Sequence, residues 1–406
     1  MLLRRHVKSR IIKFLRVIGY AFCVSSFVAF GYDWDPSRVF YKRLKAADEY
    51  VYDELRPLHK TFNPEDFITI KSGEDRDQLR EKLRSLVWGG DVDPSEIRPT
   101  VVRKDVLHQP VDTSDCVTLQ SHPSSPTETL LLLKCQHRLY ADVRGLQSLD
   151  ELILRVGPVY ETSIAYFRPR VPNGTLIVYQ NGYASTYHYQ HRHIERLINE
   201  GYTVAALNHT GYGETLRLCE KFRSTVGPWC EIGWGTSTVP RPMRVLFSPI
   251  MASVGHGLDS GNIDRVAMIG FSAGGWLTVV ASAIDPRIKN SYTIGGVMPR
   301  FLQETEEIAP NQLYRPYQQI GSLLDQFILG ADLPGRRQVQ FFNRYDRCCY
   351  RNTRSLLYRD HVANAIRAVG GGFFDVRIDE THPRHKISKG TLEAILDDLK
   401  QGKDDD

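Results

Sequence analysis

The sequence predicts an α/β chain in which a mostly parallel sheet is flanked by helices, and three observations predict it. From Thr162 onward, short apolar runs alternate with segments of helical pattern, the order that places helices on both faces of a parallel sheet. One run, Val266–Ile269, leads directly into Gly270-Phe271-Ser272-Ala273-Gly274-Gly275 and then into the helix-like segment Trp276–Ile284. Two later runs end in loops carrying Asp346 and a pair of histidines, His382 and His385, and functional side chains in such sheets gather at the carboxyl ends of strands. The chain has 406 residues, 42% hydrophobic and 24% charged, which suits a folded globular protein with ample core.

Six basic residues (Arg4, Arg5, Lys8, Arg10, Lys13, Arg16) precede the first acidic one, Asp33, and they account for the net charge of +5. Without them the body is close to neutral and has no excess positive charge for nucleic acid. The basic stretch precedes an apolar segment, Val17–Tyr32, of about the length of a signal-peptide core and slightly short for a membrane span. Ala29-Phe30-Gly31 supplies small residues at the −3 and −1 positions of a cleavage site. Residues 1–32 are therefore expected to be a signal peptide or a signal anchor, with an amphipathic surface helix as the bland alternative. Either leading reading puts the body outside the cytoplasm, periplasmic or extracytoplasmic, or tethered to the membrane through residues 11–32.

Residues 33–114 read as an N-terminal helical and mixed extension that covers or packs on the rest. Asp35 to about Arg56 has a helical pattern stopped by Pro57, and a second helical patch runs from Asp77 to Leu86. Residues 115–402 form the main domain. Cys116–Gln120 and Thr129–Cys135 look like paired strands across a Ser/Pro-rich turn. Strands are then expected at Thr162–Phe167, Thr175–Tyr179, Thr203–Leu207, Val266–Ile269, Tyr292–Ile294, Val339–Phe342 and Phe373–Ile378. Helices are expected at Tyr187–Glu200, Trp276–Ile284, Arg354–Val369 and Ser388–Lys400. Residues 297–336, rich in Phe, Leu and Tyr, are expected to form a small lid or cap insert.

Cys116 with Cys135 would tie the first hairpin, and Cys219 with Cys230 would close a short loop; six buried thiols are the plain alternative. Cys348 and Cys349 are adjacent, a spacing at which a mutual bond is disfavoured. No Cys-x-x-Cys or His-x-x-x-His spacing calls for a zinc ion, and no motif calls for a cofactor. His188, His191 and His193 fall on an expected helix, where they read as a polar face.

Gly270-x-Ser272-x-Gly274 between a strand and a helix is the pattern of a nucleophile elbow. The serine must sit on a strained turn, and side chains at 270 or 274 would collide with neighbouring elements. A serine hydroxyl is a poor nucleophile at neutral pH, so it needs a base, and the base needs an orienting carboxylate. Asp346 is the favoured acid and His385 the favoured base. Asp379 competes for the first role and His382 is the alternative for the second. Two backbone N–H groups must meet a developing oxyanion. Ala273 supplies one, and the turn Gln180-Asn181-Gly182 aims the N–H of Tyr183 or Ala184 as the other.

From about Thr162 to Leu399 the chain resembles the α/β-hydrolase superfamily. The resemblance rests on Tyr179-Gln180-Asn181-Gly182, Gly211-Tyr212-Gly213, Gly270-Phe271-Ser272-Ala273-Gly274-Gly275, the strand-end Asp346 and His385-Lys386-Ile387-Ser388. It implies a serine esterase in which Ser272 is nucleophile, Asp346 acid and His385 base, acting on a small-molecule, lipid or glycan ester without a cofactor. Gln-Asn-Gly stands where many members have His-Gly, so the second oxyanion donor departs from the usual pattern. The rivals are a peptidase of the same fold and a membrane-tethered binding protein on a hydrolase scaffold.

Overall fold

The computed structural model describes Tyr50, Tyr52 and residues 54–90, 92–108, 137–156, 160–182, 186–209, 242–304 and 314–404. Residues 1–32, expected to direct export, the hairpin expected at Cys116–Cys135, Gly211-Tyr212-Gly213, Cys219–Cys230 and Tyr183-Ala184 lie outside them. Among the described residues no helix is long and apolar enough to cross a membrane.

Nine described strands form one sheet: β1 (Val101–Arg103), β2 (Leu146–Val156), β3 (Tyr160–Pro169), β4 (Thr175–Gln180), β5 (Thr203–Leu207), β6 (Arg265–Phe271), β7 (Ile288–Ile294), β8 (Arg337–Asn343) and β9 (Phe373–Asp379). Their spatial order is β1-β2-β3-β5-β4-β6-β7-β8-β9. The pairings β1–β2, β2–β3 and β3–β5 are antiparallel; from β5 through β9 every pairing is parallel. Strands β4, β5 and β6 are buried along their whole length, the burial that a continuous apolar run signals in a two-sided parallel sheet.

The helices of eight residues or more are α1 (Gly73–Trp88), α2 (His191–Asn199), α3 (Pro242–Asp259), α4 (Ala273–Ile284), α5 (Leu323–Gly330), α6 (Leu356–Ala368) and α7 (Lys389–Asp404). Leu83, Phe247, Val279, Phe327 and Val362 of α1, α3, α4, α5 and α6 share one apolar core with one face of the sheet. Ile194 and Leu197 of α2, with Ile395 and Leu396 of α7, share the core on the other face.

Several expectations need correction. Strand β2 was not anticipated, because Asp150 and Glu151 interrupt its apolar pattern. Asp150 is buried there, accepting from Arg168 Nε at 2.9 Å, Lys104 Nζ at 3.0 Å and the Asp105 N–H at 3.0 Å, so its charge is compensated inside the strand. Helix α3 was missed because Pro249, Gly255 and Gly257 disguise it; burial of Phe247, Ile250 and Met251 outweighs the hydrogen bond that Pro249 cannot donate. The helix expected to reach Arg56 does not, since Tyr50, Tyr52 and residues 54–56 lie outside regular structure.

The N-terminal extension packs on the rest of the chain through α1. Leu83, Val87 and Trp88 lie in the main core, and Arg80 donates to Ala283 O, Leu329 O and Asp332 Oδ2. The insert 297–336 is only in part what was expected. Leu324, Phe327, Ile328 and Leu329 are fully buried, so α5 is a core helix linking β7 to β8 and no lid. Residues 305–313 lie outside the described residues.

Candidate active site

Register brings the carboxyl ends of five strands into line. Gln180 of β4 pairs with Gly270 of β6, Phe271 with Ile294 of β7, Ile294 with Phe341 of β8, and Asn343 of β8 with Asp379 of β9. The segments leaving those ends carry Asn181-Gly182, Ser272, Gly295, Asp346 and His385, which explains how residues far apart in sequence meet.

Ser272 stands between β6 and α4 with φ 54° and ψ −124°, a left-handed conformation that costs a non-glycine residue of order 1–3 kcal/mol. Its own N–H donates to Ile294 O at 2.9 Å, fixing the turn to β7. A Cβ at Gly270 would lie 2.1 Å from Gly274 O, and one at Gly274 would lie 2.4 Å from Gln180 O. Both glycines are therefore demanded by close approach. The N–H of Ala273, first residue of α4, has no acceptor within the helix and sits at its positive end.

His385 Nδ1 donates to Asp346 Oδ2 at 2.7 Å. Asp346 is buried, and its other oxygen accepts from the N–H groups of Cys348 and Cys349 at 2.8 and 3.2 Å. The His385 ring packs against Phe271, the residue before Ser272, with centroids 4.7 Å apart. Its Nε2 is buried and has no hydrogen-bond partner.

His382 is placed differently. Its Nδ1 accepts from Asn343 Nδ2 at 2.9 Å and from the Arg384 N–H at 3.2 Å, so its proton lies on Nε2, 3.4 Å from Asp379 Oδ2. The Tyr345 N–H donating to Asn343 Oδ1 at 2.9 Å fixes which end of that amide is the donor. Burial alone would raise the Asp379 carboxyl, but hydrogen bonds from His382, Ser388 and Thr381 hold it well below the usual carboxylate range. Two Asp–His pairs thus stand side by side, Asp346 with His385 and Asp379 with His382. In the second, both ring nitrogens are engaged, and Asp379 also ties down Ser388 and Thr391 at the start of α7.

No model of a protein family and no curated protein sequence matches the chain. Similarity appears at the level of structure. An acetyl xylan esterase from a Thermoanaerobacterium species superposes with a TM-score of 0.52 at 13% identity, over 87% of this chain and 99% of that one. An acetyl xylan esterase from a Paenibacillus species does so with a TM-score of 0.51 at 13% identity, over 83% of this chain and 98% of that one. The fold is the α/β-hydrolase fold.

Within this α/β-hydrolase fold several residues were not foreseen. Tyr50 and Tyr52, exposed, set their rings edge-on to Tyr345 at 4.9 and 5.0 Å, beside Asp346. Tyr50 Oη also donates to Thr381 O at 3.0 Å. In sequence Tyr50 was one apolar position of a helix, and nothing linked it to a loop some 330 residues away. His188, His191 and His193 do not form a polar face: His188 is buried, and burial, with His191 and Lys386 nearby, lowers His193 to about 4. Cys348 and Cys349 are bonded to each other, against expectation from their adjacency. The loop that folds both N–H groups onto Asp346 Oδ1 brings the two side chains together.

Proposed function

We propose that this chain is a serine hydrolase that cleaves carboxylic esters through an acyl-enzyme. The observation that carries the reading is the 2.7 Å Asp346–His385 hydrogen bond, on a ring packed against Phe271, the residue before a serine held at positive φ at the start of α4. With Nδ1–H donated to the carboxylate, the neutral imidazole keeps its lone pair on Nε2. Ser272 Oγ attacks the ester carbonyl while Nε2 takes its proton. The proton passes to the departing alcohol, leaving the acyl group on Ser272. Water then attacks, Nε2 takes and returns a proton, and the acid leaves. Asp346 stays ionised and steadies the imidazolium.

The carbonyl oxygen gains negative charge in both steps, and the Ala273 N–H at the start of α4 is assigned as one donor to it. The second donor is assigned to the N–H of Tyr183, with Ala184 the alternative. Gly182 supports this placement: a Cβ there would lie 2.9 Å from Ser272 Cβ and 3.2 Å from Phe271 O, so the chain passes directly over the nucleophile. Gly182→Ala is expected to lower kcat/KM by about 100-fold, as a misplacement of about 1 Å does, while the unfolding midpoint moves little. Steady-state kinetics beside thermal denaturation check this.

The proposed substrate is an acetylated glycan outside the cytoplasm. Two structural neighbours are named acetyl xylan esterases, and the exposed rings of Tyr50 and Tyr52 beside the acid loop offer faces on which a sugar can stack. The basic and apolar segment at residues 1–32 supports export or tethering. Release of acetate from acetylated oligosaccharides, and turnover of p-nitrophenyl acetate, butyrate and octanoate, test the reading. Saturable turnover that favours acetyl and vanishes in Ser272→Ala is expected. Equal turnover by the Ser272→Ala protein would refute it.

A further inference from the structure

The acid loop carries a feature that the hydrolytic mechanism does not use. Cys348 and Cys349 are joined by a disulfide two residues beyond Asp346, and their backbone N–H groups hold Asp346 Oδ1. Cys348 is exposed, so a soluble thiol reaches the bond. The two Sγ atoms and a ring nitrogen of His385 lie within 4.8 Å of one another. Two thiolates and an imidazole are the donor set of zinc and other thiophilic divalent cations. Such an ion, with bonds of about 2.3 Å to sulfur and about 2.0 Å to nitrogen, holds three donors roughly 3.5 Å apart. Side-chain rotation covers that difference once the S–S bond is open.

We infer that the Cys348–Cys349 pair is a reversible disulfide whose dithiol form, together with His385, binds one thiophilic divalent cation and thereby silences the site. A small dithiol opens the bond by exchange. It gives two electrons and two protons, leaves as its own cyclic disulfide, and leaves thiols on Cys348 and Cys349. Binding of the cation then releases those two protons to solvent. Either ring nitrogen of His385 serves as the third ligand with the same consequence. Ligation through Nε2 occupies the lone pair that would take the serine proton, and ligation through Nδ1 displaces Asp346. The silencing rests on the hydrolase reading above; the metal site does not.

The test uses the full-length protein, reduced with dithiothreitol and freed of it under anaerobic conditions, titrated with cadmium and followed by sulfur-to-cadmium absorption. The comparison is with the Cys348→Ser/Cys349→Ser protein, which subtracts the remaining cysteines. The reduced wild type is expected to take up about one cadmium ion more than the double variant, and the unreduced wild type no more than it. His385→Ala, which removes only the nitrogen ligand, is expected to weaken the extra binding about tenfold or more. Zinc should abolish ester turnover of the reduced wild type, EDTA should restore it, and the unreduced enzyme should be unaffected. Equal cadmium absorption by reduced wild type and double variant would overturn the site. Extra cadmium with undiminished turnover would overturn the silencing. Absence of all turnover would count against the hydrolase, with the cadmium comparison still deciding the site.

Discussion

His385→Ala is expected to lower kcat for ester turnover by about 10^5-fold or more, whereas His382→Ala is expected to keep kcat within about tenfold of wild type. The contrast follows from the two Asp–His pairs. His385 gives one nitrogen to Asp346 and keeps the other without a hydrogen bond, so it can take a proton. His382 accepts from Asn343 and Arg384 on one nitrogen and faces Asp379 with the other. Its loss leaves buried partners unsatisfied, which costs about 1–3 kcal/mol of stability and none of the proton transfer. The urea midpoint should therefore fall more in His382→Ala than in His385→Ala, while kcat falls far more in His385→Ala. Loss of activity confined to His382→Ala would reverse the assignment of the base.

Asp346→Asn is expected to lower kcat by about 10^4-fold with little change in KM. An asparagine at this position is isosteric, and its carbonyl oxygen can still receive the N–H groups of Cys348 and Cys349. Its amide group then faces His385 Nδ1 as a donor. The imidazole must accept there and carry its proton on Nε2, the tautomer that cannot take a proton from the serine. The loss should lie in kcat, because the carboxylate acts on the imidazolium that forms during reaction and does not touch the substrate. Asp379→Asn serves as the control: it should disturb the start of α7, where Ser388 and Thr391 lean on that carboxylate, and spare most of kcat.

The parts of this site differ in how visible they are in the sequence. The strands β4 to β6 are legible because strands buried on both faces are apolar almost throughout. Strands β7 and β8 show only their apolar ends, since Asn290, Ser291, Gln338 and Gln340 are buried within them. The elbow is legible because its glycines answer steric demands within a few residues of Ser272. Strand β2 and helix α3 are hidden for a common reason. Each carries residues its secondary structure disfavours, and each is held by contacts distant in sequence: Asp150 by Arg168 and Lys104, and α3 by burial around Pro249. The sequence supplies two aspartates and two histidines on adjacent strand ends. Which histidine meets which aspartate depends on the register of Asn343 with Asp379 and on the Asn343 side chain reaching His382, 39 residues away. Tyr50 and Tyr52 could not be placed at the acid loop by any local pattern. The Cys348–Cys349 bond was disfavoured on adjacency alone, because the fold of the loop around Asp346 Oδ1 was not visible in the sequence.

Hydrolysis by this route requires an activated serine at position 272. The most direct measurement is labelling of the folded full-length protein with a fluorophosphonate, followed by peptide mass spectrometry, beside Ser272→Ala. A single phosphonylated peptide carrying Ser272, absent from the alanine protein and strongly diminished in His385→Ala, is expected. Labelling that persists in Ser272→Ala, or a well-folded wild type that takes no label, would contradict an activated serine there.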